Sequence, residues 1–384
     1  MHREQVNTRA TIFSSQNQIL YYYEMKIGIV TFHRAENFGA MLQTVGLRKA
    51  LEQLGHKVYY IDYWPTSHKE VYKIWSKREF MHRPIISKCL YLAKNVLLGR
   101  PLYKRHQEFK KFFNKHIAPY CLAETAEVDL ALYGSDQIWG RFPYLNGLFD
   151  AYYFGDNSIC TRHHSSYAAS MGNSLINRNE SIFLKQHLCK FDKIGVRELD
   201  IKERLDQLNL KNVYLNCDPT LLLSAEQWNS MIPEERVIKE PYVLYYNLLY
   251  GSFNDTALHQ LVKALGLRLI TIKGVIERSS FNRNELSGIG PESFIRLIRD
   301  AEFVFTSSFH GLAFSIIFEK NFYASYLTKA SRAQTLLSEL GLLDRLLPPA
   351  SNLSKFALSP IDYSNASLRL QNYVQQSKDF LTAL

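Results

Sequence analysis

Short apolar, β-branched runs alternate with stretches of helical periodicity along most of the chain, and no other feature narrows the possible folds so far. Lys26-Ile27-Gly28-Ile29-Val30-Thr31 reads as a strand buried on both faces. After the loop Phe32–Asn37, the residues Leu42, Val45, Leu47, Ala50, Leu51 and Leu54 recur at helical spacing until Gly55 stops the helix. Val58–Tyr63 closes a βαβ unit. Val128–Tyr133 is expected to be a strand running into the polar loop Gly134-Ser135-Asp136-Gln137, with further strands at Ser166–Ser170, Lys193–Val196 and Val213–Leu215. The stretch Ser224–Glu240 is polar and bounded by Pro241, as an interdomain linker is. A second set follows: strand Tyr242–Asn247, helix Thr256–Leu265, strand Arg268–Ile272, helix Pro291–Asp300, strand Phe303–Thr306, helix Gly311–Phe318, strand Phe322–Tyr326 and helix Ser331–Leu340. Such alternation predicts an α/β fold of two doubly wound domains, residues 25–228 and 241–384, facing a cleft at the carboxyl ends of the strands.

A length of 384 residues suits two domains, and 46% hydrophobic with 21% charged residues excludes a disordered chain. The five cysteines, Cys89, Cys121, Cys160, Cys189 and Cys217, form no paired spacing, which argues against a disulfide framework or structural zinc and for a reducing cytosol. Neither a bilayer-spanning run nor a signal-peptide core is present, so a cytoplasmic protein is expected. Met25 reads as a start, and residues 1–24 as a disordered extension.

The formal charge of +10 has an address: between His68 and His116 thirteen Lys or Arg face three Glu, a surplus of ten. This segment is read as a basic helical insertion, residues 68–116, in the first domain. Within it Ile86, Cys89, Leu90, Ala93, Val96 and Leu97 form an apolar stripe among Lys88, Lys94 and Arg100. Two roles fit that pattern equally: peripheral docking on the anionic inner face of a membrane, or packing of the stripe on the first domain with the charges solvated. Nucleic acid is not an expected partner, because no recognition module accompanies the charge.

Chemistry concentrates after strand ends. Phe303–Thr306 delivers Ser307, Ser308 and His310 to the start of an apolar helix at Gly311. Backbone N–H groups there make an anion site, and the helix dipole favours a neutral imidazole able to accept a proton. The bland alternative is that Ser307 or Ser308 merely caps the helix while His310 satisfies a carbonyl. Arg197, ending one strand, and Arg332, opening one helix, suit bidentate capture of carboxylate or phosphate, against the alternative of surface ion pairs such as Arg197 with Glu198 or Asp200. Asn37, Ser135, Asp136 and Gln137 carry groups that bind sugar or phosphate, though turn chemistry explains them too. The pair His163-His164 has no third metal ligand at useful spacing and is read as surface, so neither metal nor cofactor is expected.

Taken in order, eight stretches resemble the polysaccharide pyruvyl transferases. They are the segment from Phe32 to Gln43, Gly134-Ser135-Asp136-Gln137-Ile138-Trp139, the segment from Ser166 to Gly172, Val196-Arg197-Glu198, the segment from Cys217 to Leu223, Ile289-Gly290-Pro291-Glu292-Ser293-Phe294, Ser307–Phe318, and Ser331-Arg332 leading to Leu340-Gly341-Leu342. The resemblance implies two Rossmann-like domains arranged as in GT-B-type glycosyltransferases. It also implies transfer of the pyruvyl group of phosphoenolpyruvate to two hydroxyls of a sugar or lipid-linked oligosaccharide of a bacterial surface polysaccharide, without a cofactor. By resemblance His310 matches the family's catalytic histidine and Arg197 an arginine near the donor. Some branches carry arginine where this chain has Phe309, so donor charge is expected from Arg332. The aspartate often found at Ser307 and the asparagine often found at Gly140 are also absent. A nucleotide-sugar glycosyltransferase of the same architecture and a catalytically silent sugar-binding protein are the competing functions.

Overall fold

The computed structural model describes residues 24–65, 85–142, 145–172, 176–248, 253–274, 286–326, 331–351, 353 and 360–384, with residues 85–99 described in backbone only. The extension expected at 1–24 therefore lies, but for Glu24, outside the described residues, as do the first part of the basic segment and the side chains of its apolar stripe.

The first half of the chain contains β1 (Lys26–Val30), α1 (Phe38–Gln53), β2 (Lys57–Ile61), α2 (Ile85–His116), β3 (Cys121–Leu122), β4 (Leu130–Asp136), β5 (His163–Ala169), α3 (Arg178–Leu188), β6 (Lys193–Val196), α4 (Leu199–Gln207), β7 (Val213–Leu215) and α5 (Ala225–Asn229). The second contains β8 (Tyr242–Asn247), α6 (Asp255–Ala264), β9 (Arg268–Lys273), α7 (Pro291–Arg299), β10 (Phe303–Thr306), α8 (Phe309–Ile317), β11 (Asn321–Ser325), α9 (Ser331–Leu340), β12 (Leu346–Leu347) and α10 (Tyr363–Thr382). The strands form two wholly parallel sheets, one of seven in the order β3-β2-β1-β4-β5-β6-β7 and one of five in the order β12-β11-β10-β8-β9. The α/β class with two doubly wound sheets is thus as expected.

Each sheet reverses its winding once, between β1 and β4 in the first and between β8 and β10 in the second. The chain departs to opposite sides at those places and leaves a crevice at the strands' carboxyl ends. Asn37 caps α1 by accepting from the Ala40 N–H at 3.2 Å, and Ser308 caps α8 by accepting from the Gly311 N–H at 3.3 Å. Both helices thus start at switch points, their N-terminal dipoles facing the crevice. Helix α8 begins at Phe309, ahead of the expected Gly311, because Ser308 is the residue left in extended conformation. The expected loop Gly134-Ser135-Asp136 instead completes β4: Gly134 pairs with Tyr167 and Asp136 with Ala169. Gly134 allows this close approach, since a Cβ there would lie 2.1 Å from the Tyr167 carbonyl oxygen.

One hydrophobic core runs through both sheets, joining Ile27, Leu42 and Leu132 to Leu244, Val304 and Leu312. Helix α1 is buried along nearly its whole length, and its Phe38 ring stacks on Phe294 of α7 at 4.7 Å between centroids. Phe109 of α2 packs on the same ring at 5.1 Å, and Lys115 of α2 pairs with Glu292 of α7 at 2.9 Å. The last helix returns to the first sheet: Ser377 of α10 accepts from the Cys217 N–H at 2.9 Å, and Lys193 donates to the Ala383 carbonyl at 2.6 Å. No described helix is long and apolar enough to cross a membrane.

Candidate active site at the switch points

Four segments far apart in sequence meet in the crevice: the ends of β4 and β6, the turn after β7, and the start of α8. β10 is buried throughout and is followed by Ser307 and Ser308, so the first turn of α8 carries Phe309 and His310 inward, 5% and 7% exposed. The His310 Nε2 atom lies 3.5 Å from Oδ2 of Asp218. Asp218 caps the short turn after β7, where its Oδ1 accepts from the Thr220 N–H at 2.9 Å and the Thr220 hydroxyl at 2.7 Å. Its Oδ2 takes a hydrogen bond from Nη1 of Arg197.

Arg197 is 2% exposed, so the surface ion pair is excluded, and its carboxylate partners are Asp218 and, at 3.7 Å, Asp136. Asp136 occupies the left-handed region at φ 79°, which aspartate tolerates better than most residues, at the end of β4. Arg332 of α9 lies with its Nε 4.0 Å from Glu198, and both guanidinium groups sit near the Phe309 ring, Arg197 at 5.0 Å and Arg332 at 5.5 Å. Phe309 thus offers a π face to two cations. Arg197 Nε, Arg197 Nη2, Glu198 Oε2 and His310 Nε2 are buried and have no hydrogen-bond partner among the described residues.

Burial disfavours an ionised Asp218, but His310 and Arg197 beside it outweigh burial and hold its carboxyl below the usual carboxylate range. Burial pushes the Glu198 carboxyl up, only partly opposed by Arg197 and Arg332. Burial and the neighbouring Arg197 pull Arg332 down. The site is an electrostatic network in which each charge has been taken out of water, the condition under which interactions are strongest.

The structure therefore brings together His310, Arg197, Arg332 and Asp136 and uses the other expected residues differently. The Ser135 hydroxyl is fully buried and donates to the Ala168 carbonyl at 2.7 Å, binding β4 to β5. The Ser307 hydroxyl accepts from the Leu248 N–H at 2.8 Å and ties β10 to the end of β8. Ser308 and Asn37 are helix caps, and the Gly311 N–H is taken by that cap. Gln137 lies against Gly172, where a Cβ would be 2.8 Å from its Nε2. Residues that composition and turn chemistry did not single out are Asp218, Glu198 and Gly39. Asp218 stood in a quoted motif, and its Asp-Pro-Thr turn was the available signal.

One trio among the described residues, His33, Asp62 and Cys121, brings metal-ligating atoms within 4.8 Å. Its groups are partnered internally: Arg34 donates to both oxygens of Asp62 at 2.5 Å, His33 meets the Thr31 carbonyl at 3.0 Å, and Cys121 faces the Ile117 carbonyl at 3.7 Å. A guanidinium in that place opposes a cation. His163 is exposed beside Asp192 at 3.0 Å, and His164 meets the Tyr133 hydroxyl at 3.0 Å.

Solved structures with a similar path of chain include the UDP-GlcNAc 2-epimerase of Methanocaldococcus jannaschii, at 12% identity, TM-score 0.43, covering 91% of this chain and 92% of that one. The UDP-N-acetylglucosamine 2-epimerase of Rickettsia bellii is similar at 11% identity, TM-score 0.40, covering 94% and 98%. The calicheamicin glycosyltransferase CalG4 is similar at 13% identity, TM-score 0.37, covering 94% of each chain. No curated protein sequence matches the chain. The model of one family does: it spans residues 37–326, from the cap of α1 to just past β11, and takes in Asp136, Arg197, Glu198, Asp218 and His310 of the crevice but not Arg332. On that match the chain belongs to the polysaccharide pyruvyl transferase family.

Proposed function

We propose that the protein transfers the pyruvyl group of phosphoenolpyruvate to two hydroxyls of one sugar in a bacterial surface polysaccharide or its lipid-linked precursor, forming a cyclic ketal. The observation that carries this reading is the buried Arg197, whose Nε and Nη2 have no hydrogen-bond partner among the described residues and lie beside His310. Donor N–H groups held in a dry site and aimed at a common space suit a carboxylate or phosphate. Arg332 and the positive end of the α8 dipole add to that field. In this reading His310, whose Nε2 lies 3.5 Å from Asp218, takes the proton of an attacking sugar hydroxyl. The acceptor would enter from the side of the β1 and β4 ends.

The basic helix has a place in the same reading. Lys104, Lys110 and Lys111 of α2 are exposed while Phe109 and Phe112 are buried, so the helix is anchored by its apolar side and presents charge to solvent. Such a surface suits the anionic leaflet where lipid-linked acceptors reside.

The test is to incubate the protein with phosphoenolpyruvate and lipid-linked oligosaccharides from the source cells, and to follow both phosphate release and the mass of the glycan. A gain of one pyruvate per modified sugar, lost in His310→Gln, is the expected result. Turnover of a nucleotide sugar instead, or neither reaction, would refute the assignment in favour of a glycosyltransferase or a binding protein.

A further inference from the structure

Glu198 is the most buried acid at the site that the scheme above leaves without a task. It stands at the N-cap of α4, 1% exposed, yet its side chain makes no capping hydrogen bond and turns inward. Oε1 accepts from the Ser170 hydroxyl and lies 4.0 Å from Arg332 Nε, while Oε2 has no hydrogen-bond partner among the described residues. The charged and titratable groups around it are Arg197 beside it, Asp200 on its own helix, Arg332 from α9 and Tyr373 from α10, with Asp136 and Asp218 beyond Arg197.

Two arguments converge on a proton at Oε2. With Glu198 ionised, the crevice sets three carboxylates against two guanidinium groups, a poor host for a donor bearing both a carboxylate and a phosphate. With Glu198 neutral the protein charges balance, and burial favours that form. The second argument is chemical. Ketal formation needs a base for the hydroxyl and, separately, an acid for the donor's methylene carbon, and His310 cannot begin the cycle as both.

We propose that Glu198 is the acid that protonates the methylene carbon of the donor, a role that rests on the phosphoenolpyruvate reading above. In the first step a sugar hydroxyl oxygen bonds to the donor's central carbon and His310 takes the hydroxyl proton. The electron pair of the carbon–carbon double bond takes the proton from Glu198 Oε2, so the methylene becomes a methyl group. In the second step the neighbouring hydroxyl oxygen bonds to the same carbon, the bond to the phosphate oxygen breaks with its electron pair, and that hydroxyl's proton leaves with phosphate. His310 ends one proton richer and Glu198 one poorer, and exchange with water resets both.

The experiment compares the parent, Glu198→Gln and Glu198→Asp for phosphoenolpyruvate affinity by calorimetry and for kcat against pH with the same acceptor. Glutamine keeps the shape and neutrality but has no proton to give. It is expected to bind phosphoenolpyruvate within about threefold of the parent while kcat falls ~10²–10⁴-fold, its residual rate losing the parent's decline at alkaline pH. Aspartate, still an acid but shorter, is expected to fall between the two. Turnover of the glutamine variant within threefold of the parent overturns the proposal, and so does a loss of affinity that accounts for the loss of rate. A parent that binds no phosphoenolpyruvate overturns the donor reading itself, and the acid role with it.

Discussion

Replacing Gly39 by alanine should disable the enzyme without unfolding it. A Cβ built on Gly39 would lie 1.8 Å from His310 Nδ1, 2.3 Å from Cε1 and 2.4 Å from Cγ, inside the imidazole ring's own space. Ordinary contact needs about 3.5 Å, so the ring must retreat by roughly 1.7 Å. Gly39 lies in the first turn of α1, packed on the core through Phe38, so the backbone has little room to yield. Alanine in a helix gains about 1 kcal/mol over glycine, while overpacking costs about 1–3 kcal/mol. The two terms oppose, and the thermal midpoint should shift by only a few degrees. Activity has no such compensation, because a misplacement of about 1 Å at a reacting group costs on the order of 10²-fold. The assay pairs thermal unfolding with phosphate release from phosphoenolpyruvate plus acceptor, and the expected result is a near-parental midpoint with at least ~10²-fold slower turnover. Turnover within a few-fold of the parent would show that His310 is free to act from another position and would refute the geometric argument.

Arg197→Met should cost about 3–5 kcal/mol in urea unfolding, since it strands Asp218 as a buried charge; a cost below about 1 kcal/mol would mean that Asp218 finds water or another partner. Glu292, held down to about 2 by His116 and Lys115 against its own burial, carries a depressed folded-state value, so its stabilising effect is present above the ordinary carboxylate range and fades as pH falls toward about 2. Glu292→Gln should therefore lower stability by about 0.2–1 kcal/mol at neutral pH and converge with the parent as pH falls to about 2, and a gap undiminished at that pH would contradict the linkage. Changing Lys88, Lys94, Lys104, Lys110 and Lys111 together to glutamine should abolish co-sedimentation with anionic vesicles at low salt, at roughly 1 kcal/mol per charge near the surface. Equal sedimentation of parent and variant would leave α2 as a structural insertion only.

What was legible in the amino-acid sequence follows from local chemistry. A β-branched run such as Ile27–Val30 needs burial on both faces, and its alternation with helical periods leaves a parallel sheet as the way to satisfy both. His310 and Arg197 announced themselves because each follows a short apolar strand, where a parallel sheet delivers its loops to one edge. Boundaries slipped where pairing overrode composition: Gly134-Ser135-Asp136 looks like a turn, yet Tyr167 and Ala169 draw it into β4. The same pairing turns the Ser135 hydroxyl onto a backbone carbonyl and away from the crevice. Tertiary structure alone decided that Asp218 lies against both Arg197 and His310, that Gly39 leaves no room for a side chain, and that Glu198 is buried with one oxygen lacking a hydrogen-bond partner among the described residues. Apart from the sequence neighbours Arg197 and Glu198, these residues come from separate segments of the chain, and they do not constrain one another until the strands lie in order and two winding reversals face each other. Burial then changes what each side chain is, because a carboxylate removed from water answers to its neighbours' charges, and a sequence does not say which neighbours those will be.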